Sequence, residues 1–203
     1  MSTKSGGVVL CGGKSTRMGT SKAMLPFGPE TMLQRVVRLL GSIVDPIVAV
    51  AAVDQPLPDL PPDVIVMRDE REGRGPLEGL RAGLKGLPDD VDAAYVTSCD
   101  VPLLVPAFVE QMLDLARGYD IAVMEIDGFA HPLSAVYRRA TLPHVETLLA
   151  QDRLRPAFLF DAVRTRRVRP EEMTADPGLL TLRNLNTRDD YQQALRTAGL
   201  PSE

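Results

Sequence analysis

The sequence predicts one α/β domain over residues 1–203, a three-layer α/β/α arrangement around a mostly parallel sheet. Three observations predict it. Short apolar runs alternate with amphipathic stretches as far as Met124, and the intervals are long enough for the helical crossovers that parallel strands require. Several runs are apolar throughout, as in strands covered on both faces, where half-exposed strands would alternate. The residues best suited to chemistry fall directly after these runs, at the sheet edge where open α/β folds bind ligands.

The first run, Gly7-Val8-Val9-Leu10-Cys11, is short and β-branched at two positions, as a buried strand should be. After it comes Leu10 to Lys22, LCGGKSTRMGTSK. Gly12, Gly13 and Gly19 in that stretch allow backbone N–H groups to come close to a ligand, and consecutive N–H groups in such a turn make a concave anion site. Arg17 and Lys22 add full positive charges, and Arg can grip a phosphate with two parallel bonds. The reading is a cradle for a polyphosphate, although neither G-x-x-x-x-G-K-[S/T] nor G-x-G-x-x-G is present.

Residues 31–41 place Met32, Leu33, Val36, Val37 and Leu40 on one face, predicting an amphipathic helix stopped by Gly41. Pro46 to Val53 reads as a strand covered on both faces, and Val64 to Met67 as a third strand after a proline-rich turn. A charged, glycine-punctuated loop, Arg68 to Pro76, leads into a helix over Leu77 to Leu87. Ala93 to Ser98 is a fourth strand, Pro106 to Arg117 a helix, and Ile121 to Met124 a strand. Beyond these the pattern loosens: Pro132 to Tyr137 as strand, Leu142 to Ala150 as helix, Phe158 to Val163 as a helical turn passing into strand, and Arg188 to Ala198 as the last helix. No internal repeat or linker interrupts the chain.

Composition excludes some classes. A formal net charge of −4 argues against a nucleic-acid partner, which calls for a basic excess. Aromatic content of 4% with no Trp leaves little to stack on single-stranded bases. Two cysteines, Cys11 and Cys99, fall at strand ends and are expected as reduced thiols. No apolar run approaches the length of a membrane span, so neither a membrane nor a nucleic acid is expected as a partner, and the expected location is cytoplasmic. Zinc-type ligand spacing and a G-x-S-x-G nucleophile turn are both absent.

Asp69 follows the third strand and Asp100 the fourth, so both should share an edge with the glycine stretch. Mg²⁺ is held by one or two carboxylates with substrate phosphates and waters, and Asp100, set before Val101-Pro102, suits that role. Gly75 and Pro76 open a helix whose free amides would face the cleft. Asn184 and Asn186 flank Leu185, so both amides would point to one side of an extended segment. His131, ahead of Pro132, reads first as a structural hydrogen-bonder. Arg164, Arg166, Arg167 and Arg169 read as a solvated edge, with docking of an anionic acceptor as the alternative.

Four segments in order, LCGGKSTRMGTSK, RGPLEGL (74–80), TSCDVPLL (97–104) and RNLNTRDDY (183–191), resemble the molybdenum cofactor guanylyltransferases and, more broadly, nucleotide-diphospho-sugar transferases with their Rossmann-like sheet. The resemblance implies Mg²⁺-dependent transfer of GMP from GTP to molybdopterin, with release of pyrophosphate. It implies that Leu10, Cys11, Gly12 and Lys22 bind the nucleotide, that Asp69 contacts it and that Asp100 holds the metal. By the same resemblance Asn184 and Asn186 lie near the acceptor, and His131-Pro132 is the family's short H-P element. Gly13, Gly75 and Pro76 join the expected binding residues through their own backbone chemistry. Lys22, Arg17 and Asp100 would be catalytic: a phosphate nucleophile is already ionised, so charge neutralisation and alignment suffice. Molybdoenzymes or other cofactor-synthesis proteins are implied as partners. Two positions depart from the family pattern: Ser21 stands where Asp is frequent, and Ala51-Ala52-Val53 where guanylyltransferases carry Asn. A cytidylyltransferase on the same cofactor, a transferase on a sugar phosphate or phospholactate, and a non-catalytic nucleotide-binding partner protein stay open as alternatives.

Overall fold

A computed structural model describes residues 4–12, 21–69 and 73–201. Its centre is a seven-stranded sheet. Strands β1 (Lys4–Leu10), β4 (Ile47–Ala51), β5 (Ile65–Arg68), β6 (Val91–Ser98), β7 (Ile121–Ile126), β8 (Phe129–Arg138) and β9 (Thr165–Val168) lie in the order β5-β4-β1-β6-β8-β7-β9. A two-stranded hairpin, β2 (Pro26–Phe27) with β3 (Glu30–Thr31), stands apart. Among the sheet neighbours only β8 runs antiparallel. Asp127 and Gly128, both at positive φ, close the β7–β8 hairpin with the Asp-Gly turn that suits strand twist.

The unbroken apolar runs have a direct cause: the sheet is covered on both faces. Val9, Ala49 and Tyr95 face α1 (Met32–Gly41) and α3 (Pro106–Leu115), packing with Leu33, Val36, Phe108 and Met112. Val8, Val48, Val50 and Val96 face α2 (Pro76–Gly86), α4 (Leu142–Ala150) and α5 (Ala157–Ala162), packing with Leu77, Leu84, Leu148 and Phe160. A smaller cluster of Phe27, Met32, Leu103, Leu185 and Leu195 seats α6 (Arg188–Thr197).

Local chemistry sets the element ends. Thr31 caps α1 by accepting from the Gln34 N–H, while the Gln34 side chain accepts from Thr31 N–H, which satisfies two donors that a helix start leaves open. Gly41 is the last residue of α1, not the residue after it, and Ser42 caps the end. The expected turn passing into strand over Phe158 to Val163 is instead a short helix, with strand resuming only at Thr165. The arginine run forms the sheet edge at β9, where Arg166 pairs with Glu172 at 2.9 Å and Arg167 with Glu125 at 2.5 Å. Those pairs are the solvated-edge reading realised. Among the described residues no helix is long and apolar enough to cross a membrane.

Because β1, β4, β5 and β6 are mutually parallel, their carboxyl ends share one edge. A groove of about 1130 Å³ lies at the opposite edge, lined by strand-start residues such as Lys4, Asp92 and Asp120. Within it Lys4 pairs with Asp45 and Arg138 with Asp92.

Candidate active site

At the carboxyl ends of the central strands, backbone bonds tie the chain into one platform. Cys11 N–H donates to the Val50 carbonyl at 2.7 Å, and Cys99 N–H to the Leu10 carbonyl at 3.1 Å. Asp69 N–H donates to the Ala51 carbonyl at 2.9 Å. The ends of β1, β4, β5 and β6 are thereby locked edge to edge, and residues immediately beyond them must meet.

Leu10 and Cys11 turn their side chains into the core, so only their backbone borders the open edge. Cys11 and Cys99 are buried free thiols. A hydrogen bond to Cys99, with burial, pushes the Cys11 thiol well above its usual range, which leaves it a packing residue and no nucleophile. Gly12 stands against Asp69: a side chain there would start 3.4 Å from Asp69 Oδ2. Asp69 Oδ1 is buried without a hydrogen-bond partner among the described residues. Burial, and then the negative charge of Glu78, raise the Asp69 carboxyl above its ordinary value, while Arg81 opposes them.

Lys22 opens a short 3₁₀ turn, Lys22–Met24, packed on α1. Its Nζ lies 2.7 Å from Asp100 Oδ2 and 2.8 Å from Asn186 Oδ1. The Asp100 carboxylate also accepts from the Ser98 hydroxyl through Oδ1. Both charged side chains are largely shielded, each 14% exposed, so their attraction is screened less than on an open surface. The Asp100 carbonyl accepts from Leu185 N–H at 3.0 Å. With Leu185 buried in the small core, that bond brings Asn186 alongside Lys22. Asn186 and Thr187 N–H donate to Asp190 Oδ2. The Thr187 hydroxyl and those two amides hold the Asp190 carboxyl below its usual range.

The structure thus brings Lys22, Asp100 and Asn186 together, and Gly12 with Asp69 beside them. Asn184 parts from Asn186: it lines a separate cavity of about 180 Å³ with Leu103, Asp190 and Gln193. Gly75, at φ 69°, and Pro76 start α2 as expected, and the helix packs on β1. His131 lies on β8 opposite Met124, and burial lowers its basicity. Gly13 and Arg17 lie outside the described residues.

Two features escaped the sequence reading. Glu78 and Arg81 form a buried ion pair at 2.7 Å on α2. Their spacing of three is a helical-neighbour signal that could have revealed it. Gln55 hydrogen-bonds both Cys11 and Ser21, and no spacing pattern in its proline-rich turn announces that.

Asp100 and Asn186 offer oxygen donors around one positive charge. That donor set suits a hard cation such as Mg²⁺, which takes few protein ligands. Among the described residues no cluster of three or more His, Cys, Asp or Glu side chains could hold a metal alone.

Comparison with known proteins identifies the family. Residues 7–166 match the MobA-like NTP transferase domain. A protein of Mycobacterium bovis named "Probable molybdenum cofactor guanylyltransferase" is 39% identical over 160 residues, covering 77% of this chain and 79% of that one. A Carboxydothermus hydrogenoformans protein with the same name is 31% identical over 197 residues, covering 95% of each. In three dimensions, molybdopterin-guanine dinucleotide biosynthesis protein A from Archaeoglobus fulgidus superposes with a TM-score of 0.78 at 19% identity, covering 96% of this chain and 98% of that one. A 4-diphosphocytidyl-2C-methyl-D-erythritol synthase from Anaerococcus prevotii shares the fold at 10% identity, with a TM-score of 0.68 over 97% of this chain and 99% of that one. By its match to the family over residues 7–166 and its identity to these relatives, the chain belongs to the MobA-like NTP transferase family.

Proposed function

We propose that this protein transfers GMP from GTP to molybdopterin and releases pyrophosphate. The observation that carries the reading is the Lys22 ammonium held between Asp100 and Asn186 on the edge that also presents Gly12 and Asp69. The relatives named molybdenum cofactor guanylyltransferase support GTP and molybdopterin as the substrate pair. Reaction requires two anions, the acceptor phosphate and the nucleotide α-phosphate, to approach each other. Lys22 offsets that repulsion and aligns the α-phosphate, while Gly12 lets the chain approach the phosphates closely without a side chain. The acceptor phosphate oxygen bonds to the α-phosphorus as the bond to the pyrophosphate oxygen breaks. The nucleophile is already ionised, so no residue here need remove its proton. Asp100, with Asn186 adjacent, would hold Mg²⁺, which when bound supplies further neutralisation of phosphate charge. Asp69 offers an unfilled acceptor oxygen to the donor groups of the nucleoside. Arg17 is proposed to stabilise the departing pyrophosphate, and His131 and Asn184 to border the acceptor.

The test is release of pyrophosphate from GTP on addition of molybdopterin and Mg²⁺, with CTP in a parallel arm. Release with GTP is expected, and far less with CTP. Release with CTP alone would make the protein a cytidylyltransferase on the same acceptor. Nucleotide binding without release in either arm would make it a non-catalytic nucleotide-binding protein.

A further inference from the structure

Gln55 stands in the turn after β4, half-buried among prolines. Its Nε2 donates to the Cys11 carbonyl at 2.9 Å and to the Ser21 hydroxyl at 2.9 Å, and its Oε1 accepts from Ala52 N–H at 3.2 Å. Both amide hydrogens and one oxygen lone pair are therefore committed within the protein. Cys11 immediately precedes Gly12, and Ser21 immediately precedes Lys22. One carboxamide thus joins the two places where the chain enters the candidate site, from β1 and from the 3₁₀ turn. The turn beneath is braced in its own right: Arg68 Nη1 donates to the Ala52 carbonyl at 2.8 Å and to the Gln55 carbonyl at 2.6 Å. Arg68 is in turn the residue before Asp69.

We propose that Gln55 is a positioning residue for the donor nucleotide, holding Gly12 and Lys22 at a fixed separation without touching the ligand. The proposal rests on the nucleotidyltransferase reading of the same site. An anion gripped from two sides is bound well only if the two sides are already in place, since ordering them during binding weakens affinity. Lys22 is held for chemistry by Asp100 and Asn186, contacts that Gln55 does not make. Its loss should therefore weaken GTP in the ground and transition states alike, which raises KM and leaves kcat.

The experiment compares Gln55→Met, which keeps the length and removes every hydrogen bond, with Gln55→Glu, which keeps an acceptor for Ala52 N–H and loses both donated hydrogens. Ser21→Ala removes one partner alone. Each variant is measured for KM and kcat with GTP and with molybdopterin, for GTP affinity by calorimetry, and for thermal melting. Losing the two donated hydrogen bonds, which both Gln55 variants share, predicts a KM for GTP raised roughly tenfold, with kcat and the KM for molybdopterin within about twofold. Ser21→Ala is expected to give part of that rise, and no further rise when added to Gln55→Met, because it breaks a bond already lost. Unchanged GTP affinity in both Gln55 variants of an otherwise active enzyme would overturn this proposal alone. So would parallel weakening of both substrates with a falling melting temperature, the mark of a merely structural residue. Failure of the unaltered protein to bind GTP would overturn the nucleotidyltransferase reading, and this proposal with it.

Discussion

The Lys22 ammonium lies 2.7 Å from the Asp100 carboxylate across 78 residues of sequence. Neither residue belongs to the regular part of the sheet. Asp100 comes after the end of β6, and Lys22 returns to that edge after the stretch that leaves β1. Two strands paired in register from Gly6↔Ala94 to Leu10↔Ser98 start the segments that carry the two residues from neighbouring positions. The Cys11 and Ser21 hydrogen bonds to Gln55 hold the return of the chain at that edge.

Asn186 completes that arrangement and can be removed cleanly. It is exposed, and its contribution to α6 capping comes from its backbone N–H, which alanine retains. Asn186→Ala should leave the melting temperature unchanged and lower kcat for GMP transfer roughly tenfold, about the worth of one hydrogen bond to a charged group. A normal kcat would remove Asn186 from the mechanism.

Much of this is legible in the sequence. Strand type comes from unbroken apolar runs such as Ile47-Val48-Ala49-Val50-Ala51, and the common edge of Gly12, Asp69 and Asp100 comes from parallel strands. The insertion of antiparallel β8 between β6 and β7 is not legible, because strand order depends on which faces pack, and no local period records that. The Asp127-Gly128 turn is a readable hairpin signal for the β7–β8 pair, though it does not say where the hairpin joins the sheet. Gln55 is hidden for another reason: its partners Cys11 and Ser21 lie 44 and 34 residues away, and only tertiary packing brings them within reach of a side chain. Asn184 and Asn186 show the limit of alternation arguments. Leu185 anchors the segment between them, yet one amide meets Lys22 and the other lines a separate cavity.

Asp69 sets a pH dependence. Burial and Glu78 raise its carboxyl above the ordinary value of 3.8. A carboxyl raised on folding favours the folded state while protonated, in full below its unfolded value, and that contribution is lost as pH rises through the folded value. Ionised Asp69 therefore costs stability at neutral pH. Asp69→Asn should raise the melting temperature at pH about 7, by an amount that shrinks as pH falls towards about 4, and should weaken GTP in calorimetry. A gain that grows on acidification would show the sign to be wrong.

Gly83 tests the packing of α2 on β1. An added Cβ would lie 2.4 Å from Val8 Cγ1 and 3.1 Å from Cγ2. Val8 is fully buried and, being β-branched, stiff at χ1. Alanine gains about 1 kcal/mol in helix propensity over glycine, whereas overpacking costs typically about 1–3 kcal/mol, so the clash should win. Gly83→Ala is expected to lower the melting temperature by roughly 2–4 °C per kcal/mol of net loss in a chain of this size. A higher melting temperature would mean that the helix can shift away from Val8 at little cost.

The most direct measurement is a double-mutant cycle on pyrophosphate release from GTP in the presence of molybdopterin and Mg²⁺. If Lys22 and Asp100 serve one triphosphate together, Lys22→Ala and Asp100→Ala should each slow release roughly 10²–10³-fold, and the double variant should be little slower than the worse single one. Losses that multiply in the double variant, or a near-normal rate in either single one, would contradict a shared site.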